Sequence, residues 1–126
     1  MSEKCRILLV DDEPSLVKIV ARRLEFEGFA VSVAIDGEEA VQKIQTEKPD
    51  LVILDVMLPK LSGYAVCRRI KRDPTYQKIP VILFTAKVLE RDEKLGLEAG
   101  ADAYVRKPFR AEELLNQMRE LLPSLH

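Results

Sequence analysis

The sequence predicts an α/β fold, an open parallel sheet of five strands with helices packed on both faces. Two observations lead to this prediction. Short aliphatic runs recur along the whole chain, and stretches with helical periodicity separate them. Strands separated by helices in this way are parallel and joined by right-handed crossovers. The length of 126 residues suits one domain with its own hydrophobic core, and we expect residues 1–126 to form it.

Five runs have the composition of β-strands: RILLV (6–10), FAVSVA (29–34), LVIL (51–54), PVILF (80–84) and AYV (103–105). The first, third and fourth runs are uninterrupted, which is typical of strands covered on both faces. The second alternates through Ser32 and the fifth is short, so both are expected at the edges of the sheet. These features favour the spatial order 2-1-3-4-5 over a closed barrel, which requires eight units.

The segments between the strands each place apolar residues on one helical face. The expected core residues are Leu16, Ile19, Val20 and Leu24 in the first helix, Ala40, Val41 and Ile44 in the second, Val66, Cys67 and Ile70 in the third, and Leu114, Leu115, Met118, Leu121 and Leu122 in the last, which Pro123 ends. The segment 87–99 is the least periodic, with Val88, Leu95 and Ala99 as its core stripe. We therefore expect it to be the most easily moved helix.

The charges of the chain nearly cancel, with 20 basic and 21 acidic residues and a net charge of -1. The basic residues are scattered, so neither nucleic acid nor a membrane surface is an expected partner. Cys5 and Cys67 lie far apart and belong to no metal-binding motif, which favours two packing thiols in a reducing compartment. No run has the length of a membrane span or the pattern of a signal peptide. We expect a cytoplasmic protein.

Polar residues follow four of the five strands, at the point where each strand ends. Asp11 and Asp12 follow the first strand, Asp55 the third and Thr85 the fourth, and Lys107 comes shortly after the fifth. In a parallel sheet of the predicted order these ends are neighbours along one edge. The crevice between the first and third strands is the usual position of a ligand. Three carboxylates, one hydroxyl and one ammonium are therefore expected to meet there.

Each of these residues also has a structural explanation of its own. Asp12 or Glu13 could cap the first helix, which has a proline in its first turn. Thr85 alone is compatible with an ordinary strand residue, and Lys107 with a solvated loop residue. A helix cap does not explain Asp55, whose structural alternative is a loop cap; this alternative is the weaker one, because a lone carboxylate among LVIL and VML would be costly to bury. The joint pattern favours a functional site.

A cluster of three carboxylates and one lysine has a net charge near -2, which a small divalent cation would balance. Magnesium prefers oxygen ligands, uses one or two carboxylates and leaves positions for phosphate oxygens. The sequence has no glycine-rich phosphate loop. A carboxylate beside the metal could instead attack phosphorus and form an aspartyl phosphate, whose charge the cation, Lys107 and the Thr85 hydroxyl would share. We predict that Asp55 is the acceptor.

Five motifs closely resemble those of bacterial two-component response regulator receiver domains, and together they cover essentially the whole chain. They are LLVDDEP (8–14), DLVILDVMLP (50–59), SGYAV (62–66), IPVILFTA (79–86) and EAGADAYVRKPF (98–109). The resemblance implies a flavodoxin-like three-layer sandwich. It also implies a phosphoacceptor switch that takes its phosphoryl group from a histidine kinase or a histidine phosphotransfer protein.

The same resemblance implies roles for individual residues. Asp11, Asp12 and Asp55 would hold Mg²⁺, and the carbonyl of Met57 would complete the metal shell. Asp55 would accept the phosphoryl group, and Lys107 would pair with it. A receiver of this type catalyses its own phosphorylation and dephosphorylation but is not a turnover enzyme.

The resemblance further implies a cis peptide bond to Pro108 and a conformational switch. Thr85 would swing towards the phosphoryl oxygen and Tyr104 would turn into the vacated space. This movement would remodel the face built from the fourth predicted helix, the fifth strand and the last helix. The alternative is that Tyr104 only covers an edge. The signal would pass to a downstream protein or to an output domain outside this chain, and phosphorylation could bring about dimers.

Two positions bear on the lifetime of an acyl phosphate in such a receiver. Met57 stands two residues past Asp55, and Lys87 stands two residues past Thr85. Neither is a carboxamide or an acid. Because a thioether cannot orient an attacking water as an amide can, we hypothesise a relatively long-lived phosphoryl group.

Two other classes of protein are compatible with parts of the pattern. A magnesium-dependent phosphatase of the haloacid-dehalogenase type also forms an aspartyl phosphate, but its DxD motif needs a second aspartate where Met57 stands. A flavin-binding module of the same topology needs a Ser/Thr/Gly-rich loop after the first strand. This chain has DDEPS there, which would repel phosphate.

Three further features have structural interpretations. Asp36–Gly37 indicates a turn and a helix start. The basic residues Arg68, Arg69, Lys71 and Arg72 are expected on the solvated side of the third helix. His126, the only histidine, is not expected to bind metal or to act in catalysis.

Overall fold

The computed structural model describes residues 4–85, 94–95, 98–107 and 110–122. These residues include five strands: β1 Arg6–Val10, β2 Ala30–Ala34, β3 Leu51–Asp55, β4 Val81–Thr85 and β5 Ala103–Arg106. The strands form one parallel sheet in the order β2-β1-β3-β4-β5. The predicted α/β class and strand order are confirmed.

The register of the sheet brings the carboxyl ends of four strands to one edge. The last residue of β1 pairs with the penultimate residue of β3. Asp55, which ends β3, pairs with Phe84 of β4, and Thr85, which ends β4, pairs with Arg106 of β5. The residues that end or follow these strands therefore emerge side by side.

Within the described residues, four helices cover the two faces of the sheet: α1 Pro14–Phe26, α2 Gly37–Glu47, α3 Gly63–Arg72 and the C-terminal helix α4 Ala111–Leu121. Side chains of α1 and α4 share one buried core with the sheet, and those of α2 and α3 share the other. The strands alternate between the two cores; Ile7 and Leu9 face the first, whereas Leu8 and Val10 face the second. This arrangement is the predicted three-layer sandwich.

Short polar residues begin two of the helices. Asp36 caps α2 by accepting a hydrogen bond from the Glu39 N–H (2.8 Å). Ser62 caps α3 by accepting one from the Ala65 N–H (3.2 Å). The predicted helix start after Asp36 is confirmed. Glu13 occupies the cap position of α1, but its side chain makes no capping hydrogen bond.

The expected core positions of Ile19 and Leu95 are both wrong. The Ile19 side chain is 68% exposed, because the buried stripe of α1 runs through Val20 and Leu24, and Ile19 lies about 100° around the helix from Val20. Leu95 is 41% exposed, although Ala99, four residues later, is buried. Two apolar residues at helical spacing are too weak a pattern to place a side chain.

The expected solvated basic cluster on α3 is correct for its arginines and wrong for Lys71. The exposed members are Arg68, Arg69 and Arg72. The Lys71 Nζ donates to the Ile79 carbonyl oxygen (2.7 Å) and lies 2.7 Å from Oδ2 of Asp102. Lys71 therefore ties the end of α3 to the segments that lead into β4 and β5.

Some predictions fall on residues outside the described ranges: most of the helix over 87–99 with Val88, the position of Lys87, the peptide bond to Pro108, the helix end at Pro123, and His126. In the part of the chain that is described, no helix combines the length and the apolar character that crossing a membrane requires. Cys5 and Cys67 are free thiols.

Candidate functional site

The carboxyl edge of the sheet collects three acids and a lysine that the sequence singles out. Asp11 follows β1 and Asp55 ends β3, and both side chains are buried, whereas Asp12 is exposed. One carboxylate oxygen from each of these three residues lies within 4.8 Å of the other two. Lys107 reaches the same place from the end of β5. The chain thus assembles a compact acidic site from three separate segments.

The ammonium of Lys107 bridges two of the three carboxylates. Its Nζ lies 2.9 Å from Oδ2 of Asp11 and 3.4 Å from Oδ2 of Asp55. The Lys107 N–H donates to the Thr85 carbonyl oxygen (2.8 Å), which continues the pairing of β4 and β5 beyond the strand end. The Nζ also lies 4.6 Å from the centre of the Phe84 ring, within cation–π distance. Both the main chain and the ammonium group of Lys107 are therefore fixed in position by contacts with the sheet edge.

The main chain orients Asp11 and Asp55 in the same way. Oδ1 of Asp11 accepts a hydrogen bond from the Glu13 N–H (2.9 Å), and Oδ1 of Asp55 accepts one from the Met57 N–H (3.1 Å). Both hydrogen bonds join an aspartate to the N–H two residues later, which is the pattern of an Asx turn. In each residue the other oxygen, Oδ2, faces Lys107.

Burial and charge act on the pKa values of the site in opposing directions. Burial raises the pKa of Asp55 and the neighbouring Asp11 carboxylate raises it further, although the Met57 N–H and Lys107 oppose these effects. Burial lowers the pKa of Lys107, but its hydrogen bonds and attraction to Asp11 and Asp55 outweigh burial, so that the pKa is raised overall. The raised pKa of Lys107 thus reflects the two carboxylates around its ammonium, whereas that of Asp55 reflects burial first and the charge of Asp11 second.

The donor set fits a small divalent cation that prefers oxygen ligands. Three carboxylates and one ammonium leave two negative charges unbalanced. Opposite ligands of an octahedral Mg²⁺ lie about 4.2 Å apart, and the three carboxylate oxygens already lie within 4.8 Å of one another. Because Asp12 is exposed, one side of the site is open to water or to phosphate oxygens. The residues present therefore fit Mg²⁺.

Thr85 and Tyr104 lie on neighbouring strands beside the acids. Thr85 is fully buried at the end of β4, adjacent to the end of β3. Tyr104 is half-buried on β5, pairs with Leu83 and packs against the core shared with α2 and α3. Met57 turns an exposed side chain to solvent while its N–H faces Asp55.

Three contributors to the site are absent from the sequence-based prediction: the Glu13 N–H, the Phe84 ring and Gly63. The Asx-turn tendency of aspartate could have indicated the first, because Glu13 stands two residues after Asp11. Gly63 packs so closely on β3 that a Cβ at this position would lie 2.2 Å from the Asp55 carbonyl oxygen. The close packing of Gly63 and the contact of the Phe84 ring with Lys107 leave no periodic pattern in a single sequence.

Comparisons with known proteins place the chain in a family. The family model of the response regulator receiver domain matches residues 7–119. The chain is 48% identical over 119 residues to the alkaline phosphatase synthesis transcriptional regulatory protein PhoP of Bacillus subtilis (strain 168), covering 93% of this chain and 48% of that protein. The chain spans about half the length of the curated relatives it matches.

Solved structures with the same fold agree with this placement. The signal receiver domain of a signal transduction histidine kinase from Syntrophus aciditrophicus superimposes with a TM-score of 0.89 at 37% identity, covering 94% of this chain and 90% of that chain. A response regulator receiver domain protein (CheY-like) from Methanospirillum hungatei JF-1 gives a TM-score of 0.90 at 30% identity, covering 97% and 96%. The chain belongs to the response regulator receiver domain family.

Membership of this family defines the general function of the chain. It is a phosphoacceptor module of two-component signalling, with the flavodoxin-like fold that the sequence implied. Receiver domains are signalling switches rather than classical enzymes, and they typically bind Mg²⁺ at an acidic pocket. Response regulators interact with histidine kinases and output domains. The comparisons give no support to the alternative of a magnesium-dependent phosphatase.

Proposed function

We propose that Asp55 is the phosphoacceptor of this receiver domain. We further propose that Asp11, Asp12 and Asp55, together with the carbonyl oxygen of Met57, hold the Mg²⁺ that accompanies the reaction. The observation that carries the proposal is the bridging position of Lys107, whose Nζ lies 2.9 Å from Asp11 and 3.4 Å from Asp55. An ammonium fixed beside a buried carboxylate is placed to attract and hold an incoming phosphoryl group.

In the proposed reaction, a carboxylate oxygen of Asp55 attacks the phosphorus of a phosphohistidine on the donor. An O–P bond forms while the P–N bond breaks, and the electron pair of that bond stays on the imidazole nitrogen. Lys107 would pair with one phosphoryl oxygen, and the Thr85 hydroxyl would donate a hydrogen bond to another. Bound Mg²⁺ supplies the remaining positive charge that the phosphoryl oxygens require.

The proposed switch links Thr85 to Tyr104. Thr85 would move towards the phosphoryl oxygen, and Tyr104, two positions before Arg106 on β5, would turn into the space that is freed. The face to be remodelled consists of the segment 87–99, β5 and α4. Phosphorylation can shift the two states only by binding them differently, and a change from 1:99 to 99:1 requires about 5.5 kcal/mol.

The proposed phosphodonor is a histidine kinase or a histidine phosphotransfer protein, and the proposed target is a downstream protein or an output domain joined to this receiver. PhoP, the relative from Bacillus subtilis, is described as a transcriptional regulatory protein of about twice this length. Phosphorylation-dependent dimers are part of the proposal. We also propose that residues 1–126 form a single domain and act in the cytoplasm, a reducing compartment in which Cys5 and Cys67 would remain free thiols.

We propose that the chain catalyses both its own phosphorylation and its own dephosphorylation, the second step slowly. The exposed thioether of Met57 cannot accept and donate hydrogen bonds to an attacking water as an amide can. Met57→Asn should therefore lose its phosphoryl group faster than the parent chain, by about tenfold or more. The decay of phosphorylated protein after removal of the donor measures this rate, and an unchanged or slower decay would show that the hypothesis is wrong.

The central test is phosphorylation of the purified chain by acetyl phosphate and, separately, by a phosphorylated histidine kinase. Each reaction is run with Mg²⁺ and with EDTA, and the product is measured by intact-protein mass spectrometry. The parent chain should gain one phosphoryl group with Mg²⁺ and essentially none with EDTA. Asp55→Asn should gain none, while the matched control Asp102→Asn, an aspartate at the other end of the sheet, should react like the parent. Phosphorylation of Asp55→Asn at the parental rate would overturn the proposal.

A further inference from the structure

The loop after β3, residues 56–62, is held in place by the first residue of α2. The Gly37 N–H donates a hydrogen bond to the Pro59 carbonyl oxygen (3.3 Å), and the Leu61 N–H donates to the same oxygen (2.7 Å). One carbonyl thus joins the start of α2 to two positions of the loop. This loop matters for the site because it carries Met57, whose N–H orients Asp55.

Gly37 and Leu61 are packed so closely that no side chain fits at position 37. A Cβ built on Gly37 would lie 2.2 Å from the carbonyl oxygen of Leu61, 2.5 Å from its Cβ and 2.9 Å from its carbonyl carbon. Two of these atoms belong to the main chain and cannot rotate away as the end of a flexible side chain can. Any side chain at position 37 must therefore displace the loop or the start of α2.

The loop conformation between these contacts is one that the backbone does not choose by itself. Lys60 has a φ of 67°, in the left-handed region that residues other than glycine rarely adopt. Its Nζ lies 3.6 Å from Oδ2 of Asp36, the residue that caps α2. A strained residue persists where its surroundings determine its conformation; here the surroundings include the Leu61 N–H to Pro59 hydrogen bond within the loop and the first residues of α2.

The far end of the loop is held equally closely, but from the side of β3. The Gly63 N–H donates to the Val56 carbonyl oxygen (2.9 Å), and Gly63 packs directly on the Asp55 main chain. The loop therefore has two clamps. Gly63 holds Val56 next to the phosphoacceptor, and Gly37, from another helix, holds Pro59 and Leu61. The first clamp belongs to the site itself, whereas the second connects the site to α2.

We propose that Gly37 is a positioning residue for the phosphoacceptor site. Its contact with Leu61 and Pro59 sets where the Met57 main chain stands relative to Asp55. The inference rests on the proposed function, in which the Met57 carbonyl and the Asp55 carboxylate share one Mg²⁺. A metal with strict octahedral geometry is sensitive to small displacements of its ligands, so moving this loop lowers metal affinity even though Gly37 touches neither metal nor substrate.

The test compares Gly37→Ala with the parent chain and with Gln42→Gly, a control that weakens α2 at an exposed position in its middle. Amide NMR spectra of the metal-free proteins report the position of the Met57 N–H, and titration with MgCl₂ gives the dissociation constant. We expect Gly37→Ala to shift the amide signals of residues 55–61 and to raise the Mg²⁺ dissociation constant about tenfold or more. Gln42→Gly should lower the melting temperature and leave both readouts unchanged.

The outcomes separate the positioning role from the proposed function. If the parent chain binds no Mg²⁺, the proposed metal site fails, and the positioning role fails with it. If the parent binds Mg²⁺ and folded Gly37→Ala binds it equally well, only the positioning role is overturned. Should Gly37→Ala not fold, Leu61→Gly loosens the same contact from the loop side and is expected to weaken Mg²⁺ binding to a similar extent. Parental affinity in Leu61→Gly would likewise overturn the proposal.

Discussion

The two ends of the sheet each hold a lysine among acidic and carbonyl oxygens, but only one end is balanced. At the amino end, the Lys71 Nζ lies 2.7 Å from Oδ2 of Asp102 and donates to the carbonyl oxygens of Ile79 (2.7 Å) and Gln77 (3.2 Å). The same carboxylate oxygen accepts a hydrogen bond from the Val81 N–H (2.8 Å). One positive charge meets one negative charge there, and the polar atoms are paired with the chain itself.

At the carboxyl end, Lys107 meets more negative charge than it can neutralise. It contacts Asp11 and Asp55, and Asp12 lies within the same cluster. The raised pKa of Asp55 reflects this burial and crowding. The comparison teaches that the amino end, here called the structural end, pairs its own charges, whereas the carboxyl end, here called the functional end, leaves negative charge unpaired, as the proposed site for a cation and a phosphoryl group requires.

The largest effect is expected from removing the ammonium group of Lys107 at the functional end. Lys107→Met leaves Asp11 and Asp55 buried without a positive partner, so we expect the free energy of unfolding in EDTA to fall by about 3 kcal/mol. In the proposed site Mg²⁺ would supply the positive charge that Lys107→Met lacks, so the folded variant should bind it more tightly than the parent does, and most of the difference should be recovered. Urea unfolding followed by circular dichroism measures both values. A loss of the same size with and without Mg²⁺ would contradict the account.

The matched change at the structural end should behave differently. Lys71→Met leaves Asp102 with the Val81 N–H as a remaining partner, and the Asp102 side chain is 34% exposed. We therefore expect a smaller loss of unfolding free energy, about 1–2 kcal/mol. Since the described residues at this end include no group of acids, histidines or cysteines that could hold a metal ion, the same urea experiment should give an equal loss with Mg²⁺ and with EDTA. Recovery by Mg²⁺ would remove the distinction between the two ends.

The pH dependence of stability provides a subtler test of the unbalanced charge. The pKa of Asp55 is raised in the folded chain, so folding favours the protonated carboxyl. The resulting stabilisation is complete at pH values below the ordinary carboxyl pKa, and it is lost as the pH rises through the folded-state pKa of Asp55. In EDTA, the parent should therefore lose stability relative to Asp55→Asn over the range of pH that begins at the ordinary carboxyl pKa of about 4 and extends upwards. Saturating Mg²⁺ should reverse this trend. A parent that gains stability relative to Asp55→Asn over this range in EDTA would refute the prediction.

The smallest expected effect concerns Cys67, a thiol that is sensitive to the charges of the structural end. Burial raises the pKa of Cys67 to about 11, while Lys71 lowers it and Asp102 raises it. In a Cys5→Ser background, Asp102→Asn should lower this pKa and speed alkylation by iodoacetamide, whereas Lys71→Met should raise the pKa and slow the reaction. The pH profile of the alkylation rate measures both. Faster alkylation of both variants would indicate local opening instead of a charge effect.

The sequence was sufficient to predict the fold because the strands are recognisable from their own composition. The uninterrupted aliphatic runs of β1, β3 and β4 become strands buried on both faces. The strand order then places residues from the ends of four strands along one edge, so that the gathering of Asp11, Asp55 and Lys107 follows from topology alone. Side chains at strand ends are predictable in this way because a parallel sheet constrains them directly.

The features that the sequence did not indicate depend on contacts between distant segments. Lys71 belongs to a run of basic residues that looks like a solvated helix face, yet Asp102, far along the chain, holds it at the sheet. Ile19 has helical spacing but lies beside the buried stripe instead of within it. The contact of Gly37 with Leu61 involves a residue without a side chain, which no pattern of hydrophobicity can reveal.

The central claim, that the carboxyl edge is built to receive a divalent cation beside Asp55, is tested most directly by titrating the chain with MgCl₂ in two-dimensional amide NMR. The account predicts saturable shifts for residues 11–13, 55–57 and 107 at millimolar or lower Mg²⁺, unchanged in Asp102→Asn. In Asp12→Asn, affinity should fall about tenfold or more. Absence of saturable shifts at this edge, or parental affinity in Asp12→Asn, would contradict it.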